Sequence, residues 1–168
     1  MHREKLTPED VKRIRAEIEH RKLIVRPAAL KALKEARAMG DLSENFEYHC
    51  AKRDNNQNNS RILYLEKMLD NAVILDDSSA EDEVGLNNTV TVKFLDDDSE
   101  DVFRIVTPIR SDSNKGLISN ESPLGKALLH HKKGDIVDVS TETGAFFQVE
   151  ILDLVNTGES EEDAIHQY

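Results

Sequence analysis

The chain has 168 residues, of which 38% are apolar and 5% aromatic, with no Trp, so it has room for one domain or two small ones with modest cores. No apolar run approaches the roughly 20 residues that span a bilayer, the N-terminus leads into an amphipathic pattern rather than a signal sequence, and the single cysteine, Cys50, excludes an internal disulfide and fits a reducing cytoplasm. The net charge of −11 is split: residues 1–76 hold 15 Lys and Arg against 13 Asp and Glu, while residues 77–168 hold 7 against 20, which favours a protein partner over free nucleic acid.

Thr7-Pro8-Glu9-Asp10 reads as a helix start, with Thr as N-cap, Pro in the first turn and acids beside the positive end of the dipole. Val11, Ile14 and Ile18 continue at helical spacing. Pro27 predicts a kink near residues 23–26 and a second helix after it. Ala29, Leu33 and Ala36 carry an apolar stripe until Gly40 stops that helix. A third helical pattern runs from about Ser43 to Ala72, with Phe46, Cys50, Ile62, Leu65, Met68, Leu69 and Ala72 available for one face. About 30 helical residues make an arm of roughly 45 Å. Its middle, Lys52 to Arg61, has no large apolar residue and four Asn in five positions. Asn is a poor helix former, so this stretch is either exposed coil held by its flanks or a hydrogen-bonded polar seam.

Residues 77–88 read as a linker, and beyond them the apolar period changes from 3.6 to 2. Val90, Val92 and Phe94 alternate, as do Val102 and Val106 around an acidic turn at Asp96-Asp97-Asp98. Ser122-Pro123 opens a short helix, and Ile136 to Val139 and Phe146 to Leu154 read as strands joined across Thr143-Gly144. The expected fold is therefore α+β. An antiparallel helical coiled-coil hairpin (1–76) is followed by the linker, a small antiparallel sheet with one short helix (89–156), and an acidic, disordered tail (157–168).

The chemistry concentrates at the hairpin tip, Gly40-Asp41-Leu42-Ser43-Glu44-Asn45. Asp41 and Glu44, three apart, form a capping box if Asp41 is an N-cap and Glu44 its N3 residue. The same spacing brings two carboxylates about 5–6 Å apart. That is close enough to share one hydrated Mg²⁺, an ion often held by one or two carboxylates and several waters. Two exposed acids are too few to bind it tightly alone. They could complete a weak metal site in another protein and position an attacking water for phosphodiester hydrolysis.

The run Glu35-Ala-Arg-Ala-Met-Gly-Asp-Leu-Ser-Glu-Asn-Phe-Glu-Tyr48, followed by His-Cys-Ala-Lys-Arg53, resembles the arm-tip signature of the bacterial transcript cleavage factors, the Gre family. Val25-Arg26-Pro27, the segment from Asn114 to Leu129 and Lys133-Gly-Asp-Ile-Val-Asp138 resemble other parts of the same family, in matching order over residues 5–154. The resemblance implies a helical hairpin joined to an FKBP-like domain that docks at the mouth of the RNA polymerase secondary channel. The hairpin would enter the channel, where Asp41 and Glu44 help hold a second Mg²⁺ and a water while the polymerase cuts the RNA of a backtracked complex. The protein would thus stimulate another protein's endonuclease rather than act as an enzyme, and bind no cofactor tightly by itself. Arg37, Lys52 and Arg53 match a basic patch that meets the nascent RNA 3′ segment. Ser43 and Asn45 would support the tip, and Ile118, Ser122, Pro123 and Leu124 match the docking segment. Leu42 and the weakly basic arm fit the GreA-like branch.

Phe46 stands where that family commonly has a small residue, and the Asn-rich stretch and acidic tail have no assigned counterpart. Adjacent His49 and Cys50 point to different helix faces and suggest no zinc site, His130-His131 suits a helix C-terminus, and no phosphate loop or dinucleotide fingerprint is present. Two rival readings remain. One is a polymerase-binding paralogue that inhibits cleavage or initiation; the other is a scaffold or chaperone-like module whose arm only dimerises.

Overall fold

In the computed structural model, which describes residues 3–40, 45–75, 80–157 and 165, the helix expected after Thr7 begins there. Helix α1 spans Pro8–His20. Thr7 Oγ1 accepts from the Asp10 amide at 3.1 Å, and Asp10 Oδ2 accepts from the Thr7 amide at 3.0 Å, so two otherwise orphaned donors are satisfied reciprocally. The chain divides into two units, Met1–Ile74 and Leu75–Tyr168, each with its own interior.

In the first unit, Pro27 does not break the helix. A π-helical turn, Arg21–Val25, joins α1 to helix α2, Arg26–Ala38. The Arg26 amide donates to the Arg21 carbonyl five residues back, and this wider turn absorbs a proline ring that would strike a carbonyl of a regular helix. The expected kink is thus replaced by a bulge within a continuous helical path. Gly40 follows α2 at φ +142°, a conformation that a side chain would strain.

Helix α3 is Phe46–Asp70, shorter at both ends than its sequence pattern suggests. Its contacts run opposite to α1 and α2: Asn45 meets Ala36, Asn59 meets Arg26, Asn58 meets Arg21 and Arg61 meets Glu17. The arm is therefore an antiparallel hairpin. Two short strands, β1 (Lys5–Leu6) and β2 (Val73–Ile74), pair in parallel at its open end. Leu6, Ile14, Ile62, Leu65 and Met68 are buried in this unit. Phe46, by contrast, is 79% exposed and is not part of the packed face.

The Asn-rich stretch is helix, not coil. Asn58 is buried; its Oδ1 accepts from Arg21 Nη1 at 3.2 Å, and its Nδ2 donates to the Arg21 carbonyl at 3.3 Å. Asn59 Oδ1 accepts from Arg26 Nε at 3.0 Å. Beside them Glu17 accepts from Arg21 Nε at 2.7 Å and Arg61 Nε at 3.1 Å. Burial alone would raise the Glu17 carboxyl, but hydrogen bonds and charge from Arg61 and Arg21 outweigh it and hold the group below its ordinary value. Asn therefore serves here as an interhelical hydrogen-bonding group, and this seam compensates for its weak helix propensity.

The second unit is built on a five-stranded sheet. Its strands are β3 (Asn88–Phe94), β4 (Glu100–Val106), β5 (Leu117–Ser119), β6 (Ile136–Ser140) and β7 (Phe146–Asn156), in the order β5-β4-β3-β7-β6. Four strands pair antiparallel, while β5 lies parallel to β4, so the sheet is mixed rather than wholly antiparallel. Alternation drives one face inward: Val90 and Val92, Val137 and Val139, and Val149 and Ile151 are buried together with Ile105. Helix α4, Pro123–Leu128, adds Leu128 to this core.

Part of the segment read as a linker belongs to the globular unit. Val84 and Leu86 are core residues. The Val84 amide donates to the His131 carbonyl, and the His130 amide to the Val84 carbonyl, each at 2.9 Å. Two apolar side chains in an acidic run were enough to anchor it, because each finds both a hydrophobic pocket and backbone partners. Most of the acidic tail lies outside the described residues. Thr157 donates to the Asn87 carbonyl at 2.6 Å, and Ile165 is buried.

Candidate functional site: the hairpin tip

Asn45 organises the tip. It is the N-cap of α3, with φ −83° and ψ 94°, and its Oδ1 accepts from the Tyr48 amide at 3.0 Å. Its Nδ2 donates across the hairpin to the Ala36 carbonyl at 2.7 Å, within the last turn of α2. One amide side chain thus starts one helix and ties it to the end of the other. A neutral Asn does both because it carries an acceptor and two donors, whereas an ionised carboxylate only accepts.

The α3 cap is Asn45, next to the acid-bearing turn on which the capping-box expectation falls. Asp41, Ser43 and Glu44 themselves, with Leu42, lie outside the described residues.

Around that joint, Arg37 places its guanidinium over the Tyr48 ring, 5.6 Å from the centroid, a cation–π contact that also spans the two helices. The Tyr48 and His49 rings meet edge to face at 5.5 Å. Lys52 is exposed one turn beyond Tyr48. Arg53 is exposed too, with Asp54 Oδ1 at 4.0 Å from its Nε, so part of its charge is locally offset. Of the three basic residues singled out, Arg37 is held in a defined contact with Tyr48, while Lys52 and Arg53 are exposed on α3. Cys50 is a free, half-buried thiol. Among the described residues, no group of three or more His, Cys, Asp or Glu side chains could hold a metal ion, and no helix is long and apolar enough to cross a membrane.

The second candidate surface centres on β5 and α4. Ser122 caps α4 by accepting from the Gly125 amide at 3.0 Å, and its hydroxyl donates to the Ser119 carbonyl at 2.7 Å. Ile118 and Leu124 are half-buried against the core, whereas Pro123 is exposed. Gly125, which the sequence reading passed over, fixes this corner. A Cβ there would fall 2.0 Å from the Ser119 carbonyl oxygen. The closeness of α4 to the end of β5 thus depends on a missing side chain. The signal was the Gly three residues after a capping Ser, where backbone must approach backbone.

Two family models match the chain: "Transcription elongation factor, N-terminal" over residues 4–74 and "Transcription elongation factor, GreA/GreB, C-term" over residues 79–156. The transcription elongation factor GreA of Thermotoga petrophila is 42% identical over 144 residues, covering 86% of this chain and 92% of that protein. GreA of Streptococcus gordonii is 39% identical, covering 90% and 95%. Among solved structures, Thermus aquaticus Gfh1 is 28% identical, covers 91% of this chain and 99% of its own, and superposes with a TM-score of 0.43. The chain belongs to the GreA/GreB family of transcription elongation factors.

Proposed function

We propose that this protein is a GreA-like transcript cleavage factor that supplies two carboxylates, Asp41 and Glu44, to the active site of RNA polymerase. The helical arm enters the secondary channel, and the tip reaches the RNA 3′ end of a backtracked complex. The observation that carries this reading is the filled N-cap of α3. Asn45 is itself that cap, and its side chain also ties the two helix ends together at the base of the acid-bearing turn.

The donor set suits a shared magnesium ion. Two carboxylates offer hard oxygen ligands, too few for a closed site and appropriate for an ion that keeps water and other ligands. When held there, Mg²⁺ would supply Lewis-acid stabilisation and an activated water. The chain's own contribution is positional. Asn45 fixes the tip, Ser43 supports it, and Arg37, with Lys52 and Arg53, offers positive charge to the RNA backbone. Ile118, Ser122, Pro123 and Leu124 form the docking surface on the globular unit, with the Ser122 cap and Gly125 holding its shape. A cytoplasmic protein, acting as an accessory to another enzyme's endonuclease, is the role that follows.

Adding the protein to a halted, backtracked elongation complex should accelerate RNA cleavage. The variant carrying Asp41→Ala with Glu44→Ala should still bind core polymerase and lose that acceleration. Inhibition by the unaltered protein would instead support the paralogue reading, and absence of polymerase binding would support the scaffold reading.

A further inference from the structure

One face of the arm next to the tip is built from exposed rings and a cation. Phe46, His49 and Arg53 stand at i, i+3 and i+7 on α3, a spacing that aligns side chains along one side of a helix. All three are exposed, Phe46 to 79%. Phe46 occupies the first turn, immediately after the Asn45 joint, so its backbone is anchored while its ring has no packing role. The His49 ring is steadied by its edge contact with Tyr48. Lys52 lies beside this face and Arg37 sits over Tyr48 on the neighbouring one. Asp54, near Arg53, and Glu47, next to Phe46, are the acids on this part of the helix.

The exposed Phe46 ring is open to a partner, and covering it would gain apolar burial that the free protein does not make. Rings interleaved with cations fit a chain that carries flat apolar faces and negative charge together, which is single-stranded nucleic acid. An apolar protein wall would account for Phe46 and not for the basic neighbours.

We propose that Phe46 and His49 form a stacking platform for unpaired bases at the RNA 3′ segment, with Arg53 and Lys52 on its phosphates. This deepens the cleavage-factor reading and rests on it. The platform would hold the displaced 3′ nucleotides against the arm while the tip acids act. Because stacking strength grows with the size of the π-face, cleavage should be stimulated more when the extruded 3′ nucleotide is a purine than when it is a pyrimidine.

The test uses backtracked complexes carrying 2-aminopurine at the RNA 3′ terminus, whose fluorescence falls on stacking. The full-length protein should quench it and stimulate cleavage. Phe46→Ala should lose the quench and lower stimulation roughly tenfold, while Phe46→Trp should restore both. With its ring solvent-facing, Phe46→Ala should leave the fold intact, as checked by circular dichroism. If Phe46→Ala slows cleavage but leaves the quench unchanged, the ring meets protein and the inference is overturned. It is overturned alone if Phe46→Ala matches an active unaltered protein in both readouts. If the unaltered protein stimulates no cleavage, the underlying reading falls and takes this inference with it.

Discussion

The globular unit closes over a centre of Val, Leu and Ile side chains, whereas the helical unit is joined midway by a seam of amides, guanidinium groups and one carboxylate. Its apolar packing is gathered toward its open end, at Leu6, Ile14, Ile62, Leu65 and Met68. The two interiors make different demands. Hydrophobic burial is non-directional and roughly proportional to the apolar area removed from water. A polar seam is directional: Asn58 meets both its Arg21 partners in only one register of α3 against the π-helical turn. A hairpin held this way has its two sides fixed in one alignment.

The largest loss is expected in the apolar core of the globular unit. Ile151→Ala removes a fully buried side chain and should cost the globular unit about 2–5 kcal/mol, read as a lower denaturant midpoint. Gly125→Ala forces α4 away from Ser119 and should cost about 1–3 kcal/mol by overpacking. Weakened polymerase binding should accompany that loss if the neighbouring surface is the docking site. In the arm, Asn58→Leu removes the acceptor and donor that face Arg21 and should cost about 1–3 kcal/mol. Its signature is a loss of helical signal without loss of the sheet.

Acid should separate the units further. The carboxyl of Glu17 is depressed in the folded arm, so the stability it contributes is fully present above its ordinary value of 4.5 and is lost as pH falls through the depressed value. Helical signal should therefore weaken in that acid range, and Glu17→Gln should remove this component of the pH dependence. The smallest effect belongs to the exposed pair of Lys132 and Asp82, 2.5 Å apart on the globular unit. Lys132→Ala should leave the thermal transition unmoved, because solvent screens such a pair.

Much of this was legible from local patterns. The Thr7 and Ser122 caps, the alternation of Val90 and Val92, and the helical spacing of Ile62 and Leu65 are short-range signals that each element enforces on itself. What escaped depended on partners distant in sequence. Pro27 reads as a break until Arg21 accepts from Arg26 across a wider turn. The Asn-rich stretch reads as either coil or polar seam until Arg21 and Arg26, more than thirty positions away, partner Asn58 and Asn59. The acidic run at 80–87 reads as linker until His130 and His131 pair with Val84. At the tip, the acids stand out in sequence, but that Asn45 would be the cap was not legible. Asp41 and Asn45 both satisfy the N-cap preference, and the bond from the Tyr48 amide identifies Asn45 as the cap of α3.

On the proposed function, the arm delivers carboxylates to a site it cannot build alone. Its most direct test is the Mg²⁺ dependence of RNA cleavage in backtracked complexes saturated with the protein, Asp41→Ala or Glu44→Ala. Each variant should bind polymerase as the unaltered protein does but need more Mg²⁺ to reach half its maximal rate. Identical Mg²⁺ curves for all three proteins would contradict it.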